Sequence, residues 1–406
     1  MKVDKSLIHT FNKHNVLSVI REAEQISRAD ISRQTGLSIP TVMKIAEELL
    51  TRGIVREIGK GESSGGKPPQ LLAFAPDRHY IVGVDIGTTN ILCVLMDMSA
   101  YIVASRTVPT RVGDAPEAVM ERIAHTIAAV IDGAGSERDR ILGIGIGMPG
   151  VLEPQTGRVL FSPDFHWEQV HLLPKLKASF PHPMIIHNVT HAMAMGERWF
   201  GHGRADVDSF VCVNLGHGIG SALFLEGKLL SGGSGSSGEL GHVTMDRHGP
   251  KCVCGNVGCL EALASGNAIA KRAAADIAAG HPTILRELLE RKDALEAKDV
   301  FLAAGRQDAL SIRIVQEAAE YIGLALASVI NLVDPELIVL EGGLSRAGEP
   351  FIADIRVHAQ RYQMKYTGRN TRIVVSELGE QAAAIGAASF ILQRLFEAGG
   401  DPSALE

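Results

Sequence analysis

Apolar positions near the start of the chain recur at helical spacing. Phe11, Val16, Leu17, Val19 and Ile20 predict a helix from Leu7 to about Glu24. Ser27-Arg28-Ala29-Asp30 has the form of a capping box, so a second helix is expected through Ile31 to Gln34, with Gly36 as its stop. Ser38 caps a third helix. Pro40 sits in its first turn, where a missing N–H costs nothing, and Val42, Ile45, Ala46, Leu49 and Leu50 form its buried stripe. Ile54 to Ile58 and Leu71 to Phe74 read as two strands around the tip Gly59-Lys60-Gly61-Glu62-Ser63-Ser64-Gly65-Gly66-Lys67-Pro68-Pro69. Helices joined by a tight turn and followed by such a hairpin predict a winged helix-turn-helix over residues 1–77.

Beyond Pro76 the pattern becomes β-rich, with strands expected at Tyr80–Asp85, Ile91–Asp97 and Ile102–Val108, a helix at about 115–132, and a strand at Ile141–Met148. A comparable run follows downstream. Phe210–Leu215 leads into Gly216-His217-Gly218-Ile219-Gly220, Ser221–Leu225 returns, and a long helix at about 311–332 precedes Leu337–Leu340 and Glu341-Gly342-Gly343. Two hairpin-plus-helix halves predict a duplicated α/β body with a cleft between lobes.

Composition narrows the class. The 406 residues are 46% hydrophobic and 21% charged, with 43 Gly and 2 Trp, which excludes a single small module and global disorder. The net charge of −6 would speak against a polyanionic partner, but residues 1–76 hold 11 Lys/Arg against 8 Asp/Glu, so a mildly basic head sits on an acidic body. No stretch approaches the ~18 apolar residues of a membrane span, and no secretory signal follows Met1, so a cytoplasmic protein without membrane insertion is expected. In a reducing compartment, the crowding of Cys252, Cys254 and Cys259 suggests a metal before a disulfide.

Candidate chemistry falls in three places. Ser38, Ile39, Thr41, Met43 and Lys44 lie at or near the leading end of the third helix, the part that enters a major groove, and Lys67 is carried on the wing tip, within reach of a minor groove. Thr41 and Lys44 are the foremost base or phosphate contacts, and the expected partner is DNA. Next, His242 with Cys252, Cys254 and Cys259 supplies one imidazole and three thiolates, a closed tetrahedral shell for structural Zn2+; three incidental core cysteines are the alternative. Glu239 and Glu261 flank these ligands and are candidates to accept hydrogen bonds from vicinal sugar hydroxyls, or else orient His242. Finally, Asp85-Ile86-Gly87-Thr88-Thr89 forms a tight turn whose N–H groups and hydroxyls can face a phosphate. A Gly-x-Gly-x-Gly turn alone more often answers a need for positive φ than a nucleotide.

These motifs together resemble the ROK group of repressors, open reading frames and sugar kinases, over nearly the whole chain. The winged head resembles the repressor branch, which includes xylose and N-acetylglucosamine repressors. The resemblance implies an actin-like ATPase (ribonuclease H-like) body, with a first lobe at 78–190 completed by a C-terminal helix at about 380–397. It implies a second lobe at 191–379 carrying the zinc knuckle, sugar binding and oligomerisation. It places Asn188, Glu239, His242 and Glu261 around a sugar or sugar phosphate, and assigns Asp85, Gly87, Thr88, Gly216, Gly218 and Gly342 to a nucleotide, leaving ATP binding open. Kinase members take the hydroxyl proton on an aspartate, where this sequence has Val189 in His187-Asn188-Val189-Thr190, and His217 replaces a usual threonine. An isopropyl group accepts no proton, and loss of a general base costs about 10²–10⁴ in rate. A non-enzymatic, sugar-responsive repressor is therefore expected, acting as a homodimer or tetramer on operator DNA. An active sugar kinase with an appended head is the alternative, and a phosphotransferase-system protein is a further partner the family allows.

Overall fold

The computed structural model describes residues 5–61, 68–204, 206–233 and 235–405. The chain forms two compact units, one of residues 1–192 with 383–406 and the other of residues 193–382. It passes from one to the other within a single helix and returns at the start of the last long one.

The head comprises α1 (Lys5–Glu22), β1 (Ile26–Ser27), α2 (Arg28–Thr35), α3 (Ile39–Thr51), β2 (Val55–Lys60) and β3 (Gln70–Phe74). The caps form as their side chains dictate. Ser27 Oγ accepts the Asp30 N–H at 3.2 Å, and Gly36 ends α2 at φ +70°. Val42, Ile45, Ala46 and Leu49 of α3 are fully buried, as are Leu17 of α1 and Ile31 of α2. Strand β1 has no counterpart in the apolar pattern; its two residues pair antiparallel with Leu72 and Leu71, so the head sheet has the order β1-β3-β2.

The rest of the first unit begins with β4 (Tyr80–Ile86), β5 (Asn90–Asp97), β6 (Ile102–Pro109), α4 (Pro116–Gly133) and β7 (Ile141–Met148). A small sheet of β8 (Val151–Glu153), β9 (Arg158–Ser162) and β10 (Trp167–Val170) follows, then α5 (Leu172–Lys177), β11 (Met184–Asn188) and α6 (Val189–Phe200). The main sheet has the order β11-β7-β4-β5-β6, an antiparallel meander extended by two parallel strands.

The second unit contains β12 (Phe210–Leu215), β13 (Ile219–Leu225), β14 (Lys228–Leu229), α7 (Leu260–Ala264), α8 (Gly266–Ala278), α9 (Leu285–Leu289) and α10 (Ala297–Gly305). It continues through α11 (Ala309–Val333), β15 (Leu337–Glu341), α12 (Glu349–Tyr362) and β16 (Arg372–Val375). Its sheet, β14-β13-β12-β15-β16, repeats the strand order and directions of the first: meander on one side, two parallel strands on the other. This duplication is the α/β architecture expected from the two glycine hairpins.

Helix α13 (Ala382–Glu397) returns the chain to the first unit. It lies directly on the main sheet: a Cβ on Gly83 would stand 2.0 Å from the Ala384 carbonyl oxygen, and one on Gly145 only 1.9 Å from that of Ala387. His187 stacks on Phe390 at 3.6 Å, and burial, with His191 and Arg394 nearby, pushes its pKa down to about 3, so the ring is neutral. The end of the helix then packs into the head. Phe396 faces Phe74 with ring centroids 5.8 Å apart, its carbonyl accepts from His14 Nδ1 at 3.0 Å, and Arg52 meets Asp401. Among the described residues no helix is long and apolar enough to cross a membrane.

Candidate functional site

The leading end of α3 is set by its cap. Ser38 Oγ accepts the Thr41 N–H at 3.4 Å and lies 2.8 Å from Thr41 Oγ1, so the threonine hydroxyl is engaged within the cap and the residue is half-buried. Ser38, Ile39, Met43 and Lys44 are exposed on the same end. Arg28 bonds Glu57 at 2.9 Å, tying α2 to the wing strand β2. Lys67 and the rest of the wing tip at 62–67 lie outside the described residues.

The first glycine turn closes β4 and β5, with the Gly87 N–H donating to the Asn90 carbonyl at 3.0 Å and Thr110 Oγ1 donating to the Gly87 carbonyl at 2.6 Å. Asp85, next to last in β4, has Oδ1 buried and without a hydrogen-bond partner, and burial raises its pKa to about 7. An unsatisfied carboxyl oxygen costs stability, and its place beside the glycine turn suits a group that meets a ligand or ordered water. Thr88 is half-buried in the same turn.

In the second unit, the Gly216 N–H donates to the Gly218 carbonyl, while the Gly216 and His217 carbonyls accept the N–H groups of Gly266 and Asn267 at 2.9 and 3.2 Å. The N-terminus of α8 is thus bound to the turn. Glu261 Oε2 accepts the Ile219 N–H at 2.9 Å, and a Cβ on Gly218 would fall 2.3 Å from that oxygen. Gly342, at φ +84°, lies against the end of β12, where a Cβ would meet Asn214 Oδ1 at 2.4 Å. Both glycines therefore have a packing reason to be there.

The four knuckle donors converge, their ligand atoms all within 4.8 Å of one another. His242 Nδ1 is 3.7 Å from Cys252 Sγ, and Cys254 Sγ is 3.7 Å from Cys259 Sγ. The edges of a tetrahedron around zinc, with ordinary bond lengths, are about 3.6 Å for N···S and about 3.8 Å for S···S. The cluster can therefore hold a zinc ion with no open position. Glu239 Oε2 is 3.8 Å from His242 Nε2, beyond direct hydrogen-bond distance, while Nδ1 is the ring nitrogen turned toward Cys252.

Asn188, in the first unit, spends its amide locally: Oδ1 accepts the Thr190 N–H at 2.8 Å as the cap of α6, and Nδ2 donates to the Gly150 carbonyl at 3.0 Å. Val189 is the first residue of that helix. One polar cluster escaped the sequence pattern. Cys212, fully buried in β12, donates its thiol to Glu341 Oε1 at 2.9 Å. Glu341 Oε2 is buried without a partner, and burial, reinforced by the nearby Glu197 charge, raises the pKa to about 8. Glu197, fully buried, accepts from Ser376 Oγ at 2.6 Å and from the His202 N–H at 2.8 Å.

The ROK family profile matches residues 81–394, and a winged helix-turn-helix DNA-binding profile matches residues 12–56. The xylose repressor of Caldicellulosiruptor bescii is 30% identical over 398 residues, covering 95% of this chain and 96% of that protein. A crystal structure of a ROK family transcriptional regulator, a homologue of the Escherichia coli MLC protein, aligns with a TM-score of 0.85 at 28% identity, covering 98% of this chain and 99% of that one. A ROK family glucokinase from Streptomyces griseus, in complex with glucose and AMPPNP, aligns with a TM-score of 0.68 at 29% identity, but covers 77% of this chain and 99% of its own.

Proposed function

Because the chain belongs to the ROK family, we propose that it is a sugar-responsive transcriptional repressor, in which the winged head binds operator DNA and the kinase-like body senses a sugar. One observation carries this reading: the likeness to a ROK transcriptional regulator takes in head and body together, whereas the likeness to a ROK glucokinase stops at the body. Ser38, Ile39, Thr41 and Lys44 meet the duplex, with Lys67 reaching from the wing. Asn188, Glu239, His242 and Glu261 surround a sugar or sugar phosphate, and zinc on His242, Cys252, Cys254 and Cys259 fixes the loop that carries the last three of these groups.

The body does not phosphorylate its ligand, because Val189 offers no lone pair to the attacking hydroxyl. When bound, zinc supplies a rigid closed shell and no open coordination position. Chain continuity supports a route for the signal. The two crossings between units lie in α6, which Asn188 caps, and at the start of α13, whose far end packs into the head. A ligand that biases the geometry of the body then biases the reader, and linkage requires operator binding to change sugar affinity by the same factor. The protein acts in the cytoplasm as a homodimer or tetramer on a symmetric operator, and a phosphotransferase-system protein is an additional candidate partner.

The test is a titration of the full chain with operator duplex, with and without members of a panel of pentoses, hexoses and amino sugars, beside a thermal-shift screen of the same panel. A sugar that shifts both melting temperature and operator affinity supports the reading; equal sugar affinity in free and DNA-bound protein overturns the coupling. Asp85 and its glycine turn favour a second reading, an active ATP-dependent sugar kinase with residual nucleotide binding at Gly87, Thr88, Gly216, Gly218 and Gly342. Sugar-dependent ADP formation, abolished by Asp85→Asn, would establish it.

A further inference from the structure

The exposed end of α3 is unusual in what it offers a duplex. Its buried stripe is complete without Ile39 and Met43, since Val42, Ile45, Ala46 and Leu49 are already fully enclosed. Yet Ile39 and Met43 stand 43% and 54% exposed, four positions apart and so on one face. Lys44 is the only cation in the helix, which has no Arg, Asn, Gln or His. The Thr41 hydroxyl is engaged by Ser38.

In the major groove, guanine is read mainly by Arg or Lys, adenine by Asn or Gln, and thymine by apolar contact with its 5-methyl group. Of these readers, this helix presents two aliphatic side chains and one lysine. The geometry points to Ile39 and Met43 as specificity-determining residues that recognise thymine 5-methyl groups, making the half-site rich in A·T pairs at the positions they cover. Lys44 holds a neighbouring phosphate or guanine and sets the depth of the helix. The inference rests on α3 being the recognition helix of the repressor reading, and adds which base feature it reads.

Ile39 and Met43 lie off the buried stripe and are about half exposed, so truncating them to alanine is expected to leave the head folded, which thermal unfolding of each variant checks. The test selects duplexes from a random pool with the full chain, then replaces each thymine of a selected half-site by deoxyuridine, which lacks only the methyl group. Removal of one buried methyl is expected to weaken binding about fourfold. At least two positions should show this loss, one insensitive to the methyl in Ile39→Ala and the other in Met43→Ala. Salt-dependent binding with no deoxyuridine penalty, or penalties unchanged in the double variant, would overturn this inference and leave the repressor reading standing. Selection of no duplex at all would overturn both.

Discussion

Arg52 and Asp401 lie 349 positions apart and meet at 2.7 Å, the first at the end of α3 and the second beyond α13. Both side chains are about one-quarter exposed. Burial opposes ionisation of Asp401, yet Ser403 hydrogen bonds and the Arg52 charge together hold its carboxyl below the usual range. A group depressed in the folded state stabilises above its unfolded pKa and loses that stabilisation as pH falls through the folded value. The contact should therefore persist through mildly acidic solution. Asp401→Ala is expected to cost about 1 kcal/mol and to raise hydrogen exchange in α3 at neutral pH; unchanged exchange would show that the pair does not hold the head.

The knuckle gives the most direct assay. The protein should carry about one zinc per chain, the donor set being complete. Cys254 is the exposed member of the four-residue cluster, the natural point of entry for a chelator. Cys254→Ser should release the metal and lower the melting temperature by several degrees, with weaker stabilisation by the cognate sugar. A metal-free parent protein of equal stability would refute the assignment.

Val189→Asp tests the loss of catalysis. A carboxylate in the first turn of α6 is favoured by the helix dipole by about 0.3–1 kcal/mol, so the variant should fold. No sugar-dependent ADP formation is expected from it or from the parent, because the second glycine turn also differs, with His217 exposed at its tip. Turnover by the parent in a coupled assay would favour the kinase reading.

Glu341 sets a pH dependence of stability. Its folded pKa of about 8 stands above the ordinary 4.5, so the folded chain keeps a proton that the unfolded chain has released. Stability from this group is fully present below about pH 4.5 and declines as pH rises toward 8, by an amount on the order of a few kcal/mol. Glu341→Gln should flatten that decline in chemical denaturation between pH 5 and about 9. Parallel profiles for the two proteins would show that the carboxyl is already ionised in the fold.

What was legible in the sequence was local. Ser27 and Ser38 announce their helices because a cap is an interaction over three residues, and the His/Cys cluster is visible because His242 and three cysteines fall within eighteen positions. The Cys212–Glu341 bond was not, since the thiol sits in a strand that reads as core and its partner is 129 residues away. Strand β1 is too short to show alternation, and exists because Leu71 and Leu72 offer it an edge. Nor does composition reveal that the Thr41 hydroxyl is engaged by Ser38 or that Asn188 serves as a helix cap.

The packing of Phe396 and Asp401 into the head has a practical corollary for protein engineering. The reader is not a contiguous cassette: its hydrophobic interior is assembled from both extremities of the polypeptide, Lys13 resting against Gly399 and Leu49 against Gly400. A chimera that transplants only the first 77 residues between relatives would inherit a mismatched seat, whereas one that also carries the segment from Phe396 onward would keep its lock and key together.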